Sequence, residues 1–431
     1  MPNKKITFRN PWAWVPSLYF AEGIPYVMVM TVSVAMYKKL DISNTDIAFF
    51  TSLLYLPWTI KFLWGPFVDM FKTKRLWITS TQFLISIALF GIAAALVTSH
   101  FFFFTILVFS LMAFASATHD IAADGFYMLA LDEAKQAEFV GIRSTFYRIA
   151  TIAGQGLMVM LAGFLEYRMS NQSAWSIVFI VMASVFFLLF FYHKFILPYP
   201  TTDFPTLQDK SKTVMKEFAD TFVLFFKKKE IWVILAFLLF YRFAEAQLVK
   251  LVQPFLLDPI EKGGLGLSTE ELGLVYGTIG VIALLFGGVL GGIAISKKGL
   301  RYWLWPMVII MHTPDLIFIY LSYFQPQNLF LIISSIAIEQ FGYGFGFTAY
   351  MMYMIMISQG KHKTAHYAIC TGIMALGMML PGMFSGWLQE QIGYNHFFVW
   401  VALSTIPGFI VAALVKIDSE FGKKKEEVAK A

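Results

Sequence analysis

The chain has 431 residues, of which 58% are hydrophobic, 18% aromatic and only 14% charged, with a formal net charge of +6. That balance excludes a soluble globular protein and describes one that crosses a membrane many times. A single cysteine, Cys370, excludes an internal disulfide and leaves no Cys/His metal constellation.

Apolar runs long enough to cross about 30 Å of hydrocarbon recur along the whole chain. Twelve are predicted, at 12–37, 46–69, 76–98, 101–131, 139–166, 174–197, 231–257, 269–295, 302–324, 328–359, 365–392 and 394–417. The first carries Glu22 rather than a small-residue cleavage site, so it is read as helix one and not as a cleaved leader. About 24 Lys and Arg fall on the side of the termini and even-numbered loops, against about 4 on the other (Lys38, Lys39, Arg168, Lys262), which predicts cytoplasmic termini. The positive charge is therefore a topology signal, not a nucleic-acid one. Lys227, Lys228 and Lys229 can also touch anionic headgroups.

Helix one offers Tyr19, Glu22, Tyr26 and Ser33 within an apolar stretch. At the end of helix two stand Gly65-Pro66-Phe67-Val68-Asp69 and then Lys72, Lys74 and Arg75. This resembles the loop motif of the major facilitator superfamily, in which the glycine lets helices approach and the acid gates a charge pair. The predicted gate residues are Gly65, Asp69, Lys74 and Arg75. Residues 291–295 with Lys297, Lys298 and Arg301 repeat the pattern without the acid.

Helix four places Asp120, Asp124 and Tyr127 on one face, since spacings of four and three return to the same side. Its His119 lies off that stripe and reads as a packed histidine, and Phe101 to Phe104 read as lipid-facing bulk. Helix five offers Arg148, Thr151 and Gln155. Residues 198–230 turn polar and separate a bundle over 1–197 from one over 231–431. Met215, Phe218, Phe222 and Phe226 give that linker the spacing of a surface helix.

Helix seven repeats the opening phrase: Arg242-Phe243-Ala244-Glu245 answers Tyr19-Phe20-Ala21-Glu22, with Lys250 and Gln253 on the same broad face. Ser43 to Asp46 and Ser268 to Glu271 are capping-box patterns at corresponding helix starts. Helix ten carries Glu339, the repeat partner of Asp120, with Tyr343, Gly346 and Tyr350. The methionines from Met351 to Met356 read as packing, and His366 near the start of helix eleven as a solvated group. A duplicated membrane unit with acids at matching depth points to a secondary transporter with its site at the repeat interface.

A charge at a helix centre costs about 2.5–3.5 kcal/mol, so each retained there needs a partner or a task. One reading pairs Asp120 or Asp124 with Arg148, and Glu245 with Arg242, to hold helices together. The other makes Glu22, Asp120, Asp124, Glu245 and Glu339 proton-coupling candidates, because burial disfavours a charged carboxylate. Tyr19, Tyr26, Tyr127, Tyr343 and Tyr350 can stack on sugar rings, while Arg148, Arg242 and Lys250 can hold a carboxylate, with Gln155 and Gln253 as further polar contacts.

These phrases resemble the AmpG-type muropeptide permeases of the major facilitator superfamily. The matching residues are Leu18-Tyr19-Phe20-Ala21 with Gly23 and Pro25, Lys61-Phe62-Leu63-Trp64 with Pro66 and Asp69, and Asp120-Ile121 with Asp124. Tyr147-Arg148, Tyr241, Arg242, Glu245 and Glu339 continue the series in order. Glu22 departs from it, standing where the family has a small residue. The resemblance implies a monomeric all-α facilitator fold of twelve helices in two six-helix bundles that rock against each other. It also implies proton-driven import of anhydromuropeptides across the bacterial inner membrane, with no cofactor and no metal. Another oligosaccharide, or an amphiphile such as an acyl-CoA or a siderophore, remains an alternative cargo. A non-transporting receptor is the different-class alternative, and an enzyme is not expected because no nucleophile–base pair is present.

Overall fold

The computed structural model describes residues 10–201, 203–204, 220–360 and 363–424. They fold into helices α1 (Pro11–Lys39), α2 (44–70), α3 (Lys74–Leu96), α4 (Phe101–Ala130), α5 (Ala134–Glu166) and α6 (Asn171–Ile196). After the linker come α7 (Ile231–Leu257), α8 (Thr269–Lys298), α9 (Leu300–Phe324), α10 (Leu329–Ser358), α11 (363–392) and α12 (394–414). Ten continuous runs among the described residues are long and apolar enough to span a bilayer. The count of twelve arises because α2 is broken and the last run, Ala365–Leu414, is two helices parted at Gly393 (φ 73°).

The break in α2 has a local cause. Pro57 and Pro66 lack an N–H and start new short helices, Leu56–Ile60 and Gly65–Met70, with a 3-10 turn at Lys61–Leu63 between them. Elsewhere polar caps set the starts. Thr73 accepts from the Leu76 N–H, Asp132 from Lys135 and Ser170 from Ser173, while Ser268 and Glu271 form the expected capping box. Wider π-helical turns interrupt α1 at Met28–Val32, α5 at Ile152–Met158 and α8 at Gly273–Gly280.

The chain divides into two compact units: Met1–Ser43 with Phe50–Phe218 and Ser268–Gly277, and Asn44–Phe49 with Ala219–Leu267 and Thr278–Ala431. In the first unit α3 packs on α4 and α6, and α1 packs on α5. Gly23 allows the last of these contacts, because a Cβ there would sit 2.9 Å from the Tyr147 carbonyl oxygen and from Ala150 Cβ. A buried polar chain also ties this unit together. Ser17 Oγ lies 2.9 Å from His193 Nε2, His193 Nδ1 2.9 Å from Gln82 Oε1, and Gln82 Nε2 3.0 Å from His119 Nε2.

In the second unit α8 packs on α10, α10 on α9, and α7 on α11. Within a membrane such contacts rest on close packing, not on apolar burial, and so on small residues. A Cβ at Gly344 would meet the Leu284 carbonyl oxygen at 2.1 Å. The core here joins Phe237, Tyr241, Met307, Met311, Tyr350 and Met354.

Two expectations need correction. His366 is buried with its ring 5.5 Å from that of Phe225, so it packs and is not solvated. Of the aromatic run, Phe103 and Phe104 are exposed as expected, whereas Phe102 packs on Tyr37. In the linker a short helix covers 220–226 and includes Phe222 and Phe226; Met215 and Phe218 lie outside the described residues.

Candidate functional site

In the first unit the acids of α1 and α4 meet cations from α2 and α5. Asp124 Oδ1 accepts from Arg143 Nη2 at 2.6 Å and from the Tyr19 hydroxyl at 3.1 Å. Arg143 also lies over two rings, with Cζ 4.4 Å from the Tyr19 centroid and 5.1 Å from that of Tyr127. Asp120 Oδ2 accepts from Trp58 Nε1 at 3.1 Å, and Lys61 Nζ stands 3.6 Å away. The break in α2 is what turns Lys61 and Trp58 towards this acid. Tyr26 packs edge-on against Trp58, and its hydroxyl donates to that of Tyr55 at 3.2 Å.

Glu22 is buried, and its Oε2 has no hydrogen-bond partner. Asp120, Asp124, Lys61 and Arg143 are the charges it feels. The cluster therefore holds three acids and two cations. Arg148, the expected partner of the helix-four acids, makes no ion pair or hydrogen bond among the described residues. Arg143 and Arg148 are on one helix but five residues apart, so they leave α5 in different directions, and Arg143 is the one that reaches Asp124. Gln155 donates from Nε2 to the Tyr276 carbonyl at 3.3 Å.

In the second unit the repeat partners of Glu22 and Asp120 also come together. Carboxylate oxygens of Glu245, Glu339 and a third acid, Asp315, lie within 4.8 Å of one another, all buried. Asp315 was missed from sequence, although an acid within the apolar run of α9 was the signal that could have found it. Arg242 does not bridge to Glu245. Its guanidinium donates to the Tyr343 hydroxyl and lies over the Tyr343 and Phe347 rings, 5.1 and 4.6 Å from their centroids. Lys250 and Gln253 are buried on α7. Tyr350 is stacked in the core against Phe237 and Tyr241, and its hydroxyl donates to the Leu238 carbonyl at 2.6 Å.

At the start of α3, Asp203 from the linker accepts from the Lys74 and Arg75 N–H groups at 2.7 and 3.1 Å. Arg75 lies 3.9 Å over the Tyr199 ring and donates to the Lys194 and Leu197 carbonyls. The Lys74 stem packs where a Cβ on Gly125 would stand, 3.0 Å from its Cε. A Cβ on Gly65 would meet nothing within 4 Å, so no close approach requires glycine there. The Asp69 side chain lies outside the described residues.

The family model described as the Major Facilitator Superfamily matches residues 17–314. The anhydromuropeptide permease of Escherichia coli is 23% identical over 94% of this chain and 79% of its own length. A putative transporter AmpG 4 of Rickettsia conorii is 24% identical over 91% of this chain and 94% of its own. Among solved structures, a D-xylose-proton symporter aligns with a TM-score of 0.72 at 13% identity, over 96% of this chain and 99% of that one. The nucleoside transporter NupG aligns with a TM-score of 0.67 at 16% identity, over 94% and 98%.

Proposed function

This chain belongs to the Major Facilitator Superfamily, and we propose that it is a proton-coupled symporter importing cell-wall muropeptides of the GlcNAc–anhydro-MurNAc type, or a related amino-sugar saccharide. It is a multi-pass membrane protein and a secondary transporter, not an enzyme. Our reading places it in the bacterial inner membrane with both termini cytoplasmic, as a monomer that works by alternating access with the proton gradient as its only energy source. The relatives named as anhydromuropeptide permease and AmpG transporters support the cargo class.

The observation that carries the coupling is the charge balance of the first unit. Among the described residues the cations that Glu22, Asp120 and Asp124 face are Lys61 and Arg143, so the cluster becomes neutral when one acid holds a proton. Asp120 and Asp124 each have a cation within 4 Å. Glu22 is left over, and we assign the exchangeable proton to it. A cargo carboxylate that takes Arg143 would free Asp124 and add negative charge beside Glu22, so that cargo and proton bind with mutual reinforcement. Tyr19, Tyr26, Tyr127 and Trp58 supply rings against which pyranose faces can stack.

Binding to the purified full-length protein tests the cargo. GlcNAc–anhydro-MurNAc and its peptide form should bind, more weakly in Arg143→Ala, while neutral disaccharides and acyl-CoA should not. Binding of acyl-CoA or a neutral oligosaccharide with none of the muropeptides would overturn this reading.

A further inference from the structure

The second unit holds an acidic cluster to which the proposed coupling assigns no part. Glu245 of α7, Asp315 of the 3-10 turn Thr313–Asp315 in α9 and Glu339 of α10 each bring one carboxylate oxygen to within 4.8 Å of the others. Their exposures are 2%, 1% and 1%, so water does not screen them. Glu339 accepts from Gln340 Nε2 at 2.9 Å, while neither oxygen of Asp315 has a hydrogen bond among the described residues. A fourth buried group points in from outside the acidic trio. His312 Nδ1 stands 3.5 Å from Asp315 Oδ2, and neither of its ring nitrogens is hydrogen-bonded. Among the described residues the other charged and titratable groups facing the trio are His312 and Arg242, the latter donating to the Tyr343 hydroxyl.

Three buried carboxylates this close repel one another unless a cation or shared protons stand among them. Their donors are oxygen only, which suits hard cations and not zinc or copper. Oxygens bonded to one ion at about 2.3–2.6 Å lie no more than roughly 5.2 Å apart, so three oxygens within 4.8 Å of one another can share one ion. Mg2+ demands near-ideal octahedral geometry with bonds of about 2.0–2.1 Å, whereas a larger hard cation accepts longer and less regular ones. His312 occupies the place of an outer-shell group that orients a ligating carboxylate. We propose that Glu245, Asp315 and Glu339 bind one hard cation, Na+ or Ca2+, with His312 positioning Asp315. The site is independent of which cargo the first unit accepts.

The test is thermal unfolding of the full-length protein in detergent, stripped with chelator into choline chloride and titrated at constant ionic strength. Na+ or Ca2+, whichever is the occupant, should raise Tm saturably, and K+ and Mg2+ should not. Asp315→Asn should abolish the rise, and Glu339→Gln serves as a second variant should the first not fold. Direct binding of radioactive Na+ and Ca2+ to the unaltered protein provides a reading that needs no variant. No response and no binding for either ion would overturn the proposal, as would an equal response to K+ or Mg2+, or an undiminished one in the folded variants.

Discussion

The Asp124→Asn substitution probes the Asp124–Arg143 pair most sharply. The two side chains meet at 2.6 Å, and the same carboxylate oxygen accepts from the Tyr19 hydroxyl. Asparagine keeps an acceptor for Tyr19 but removes the charge. A hydrogen bond to a charged group contributes about 1.5–3 kcal/mol, and the side-chain exposures of 29% and 43% place this pair at the lower end, about 1–2 kcal/mol. Arg143→Ala should cost more, roughly 2–3 kcal/mol, because contacts over the Tyr19 and Tyr127 rings go as well. A double-mutant cycle on unfolding in detergent should therefore return a coupling of about 1 kcal/mol or more. In proteoliposomes Asp124→Asn should lose proton-driven accumulation while still exchanging cargo. Additivity within about 0.3–0.5 kcal/mol, together with unchanged accumulation, would refute the pairing and its role.

Glu22→Gln should flatten the pH dependence of transport, whereas Glu245→Gln should leave the pH profile in place and alter stability; matching transport pH profiles in the two variants would show one shared role. Gly344→Val should destabilise the second unit by several kcal/mol, since its first added carbon would lie 2.1 Å from the Leu284 carbonyl oxygen; wild-type Tm and yield would contradict the close crossing. Cysteines replacing Lys228 and Lys298 should label only from the cytoplasm, and one replacing Lys262 only from outside. Labelling at position 298 from outside would invert the orientation.

Acids in apolar runs announce themselves by their cost, which is why Glu22, Asp120, Asp124, Glu245 and Glu339 were visible in the bare sequence. Their partners were not. Lys61 reaches Asp120 where prolines break α2 around it, and Arg143 rather than Arg148 meets Asp124 because the two arginines leave α5 in different directions. Neither the angle of a broken helix nor the rotation of one helix against another is encoded in local spacing. Tyr350 shows the converse. It shares a helical stripe with Glu339, yet α10 turns it into the core, where its hydroxyl serves a carbonyl of α7. The helices themselves were legible because bilayer thickness imposes a length on every apolar run.

The central claim is that Glu22 carries a proton that moves with cargo. Purified protein in liposomes enclosing a pH-sensitive dye, given muropeptide outside and no imposed gradient, tests it in one measurement. The lumen should acidify as cargo enters, and should not in Glu22→Gln even where cargo still exchanges. Cargo entry by the unaltered protein without any change in luminal pH would contradict it.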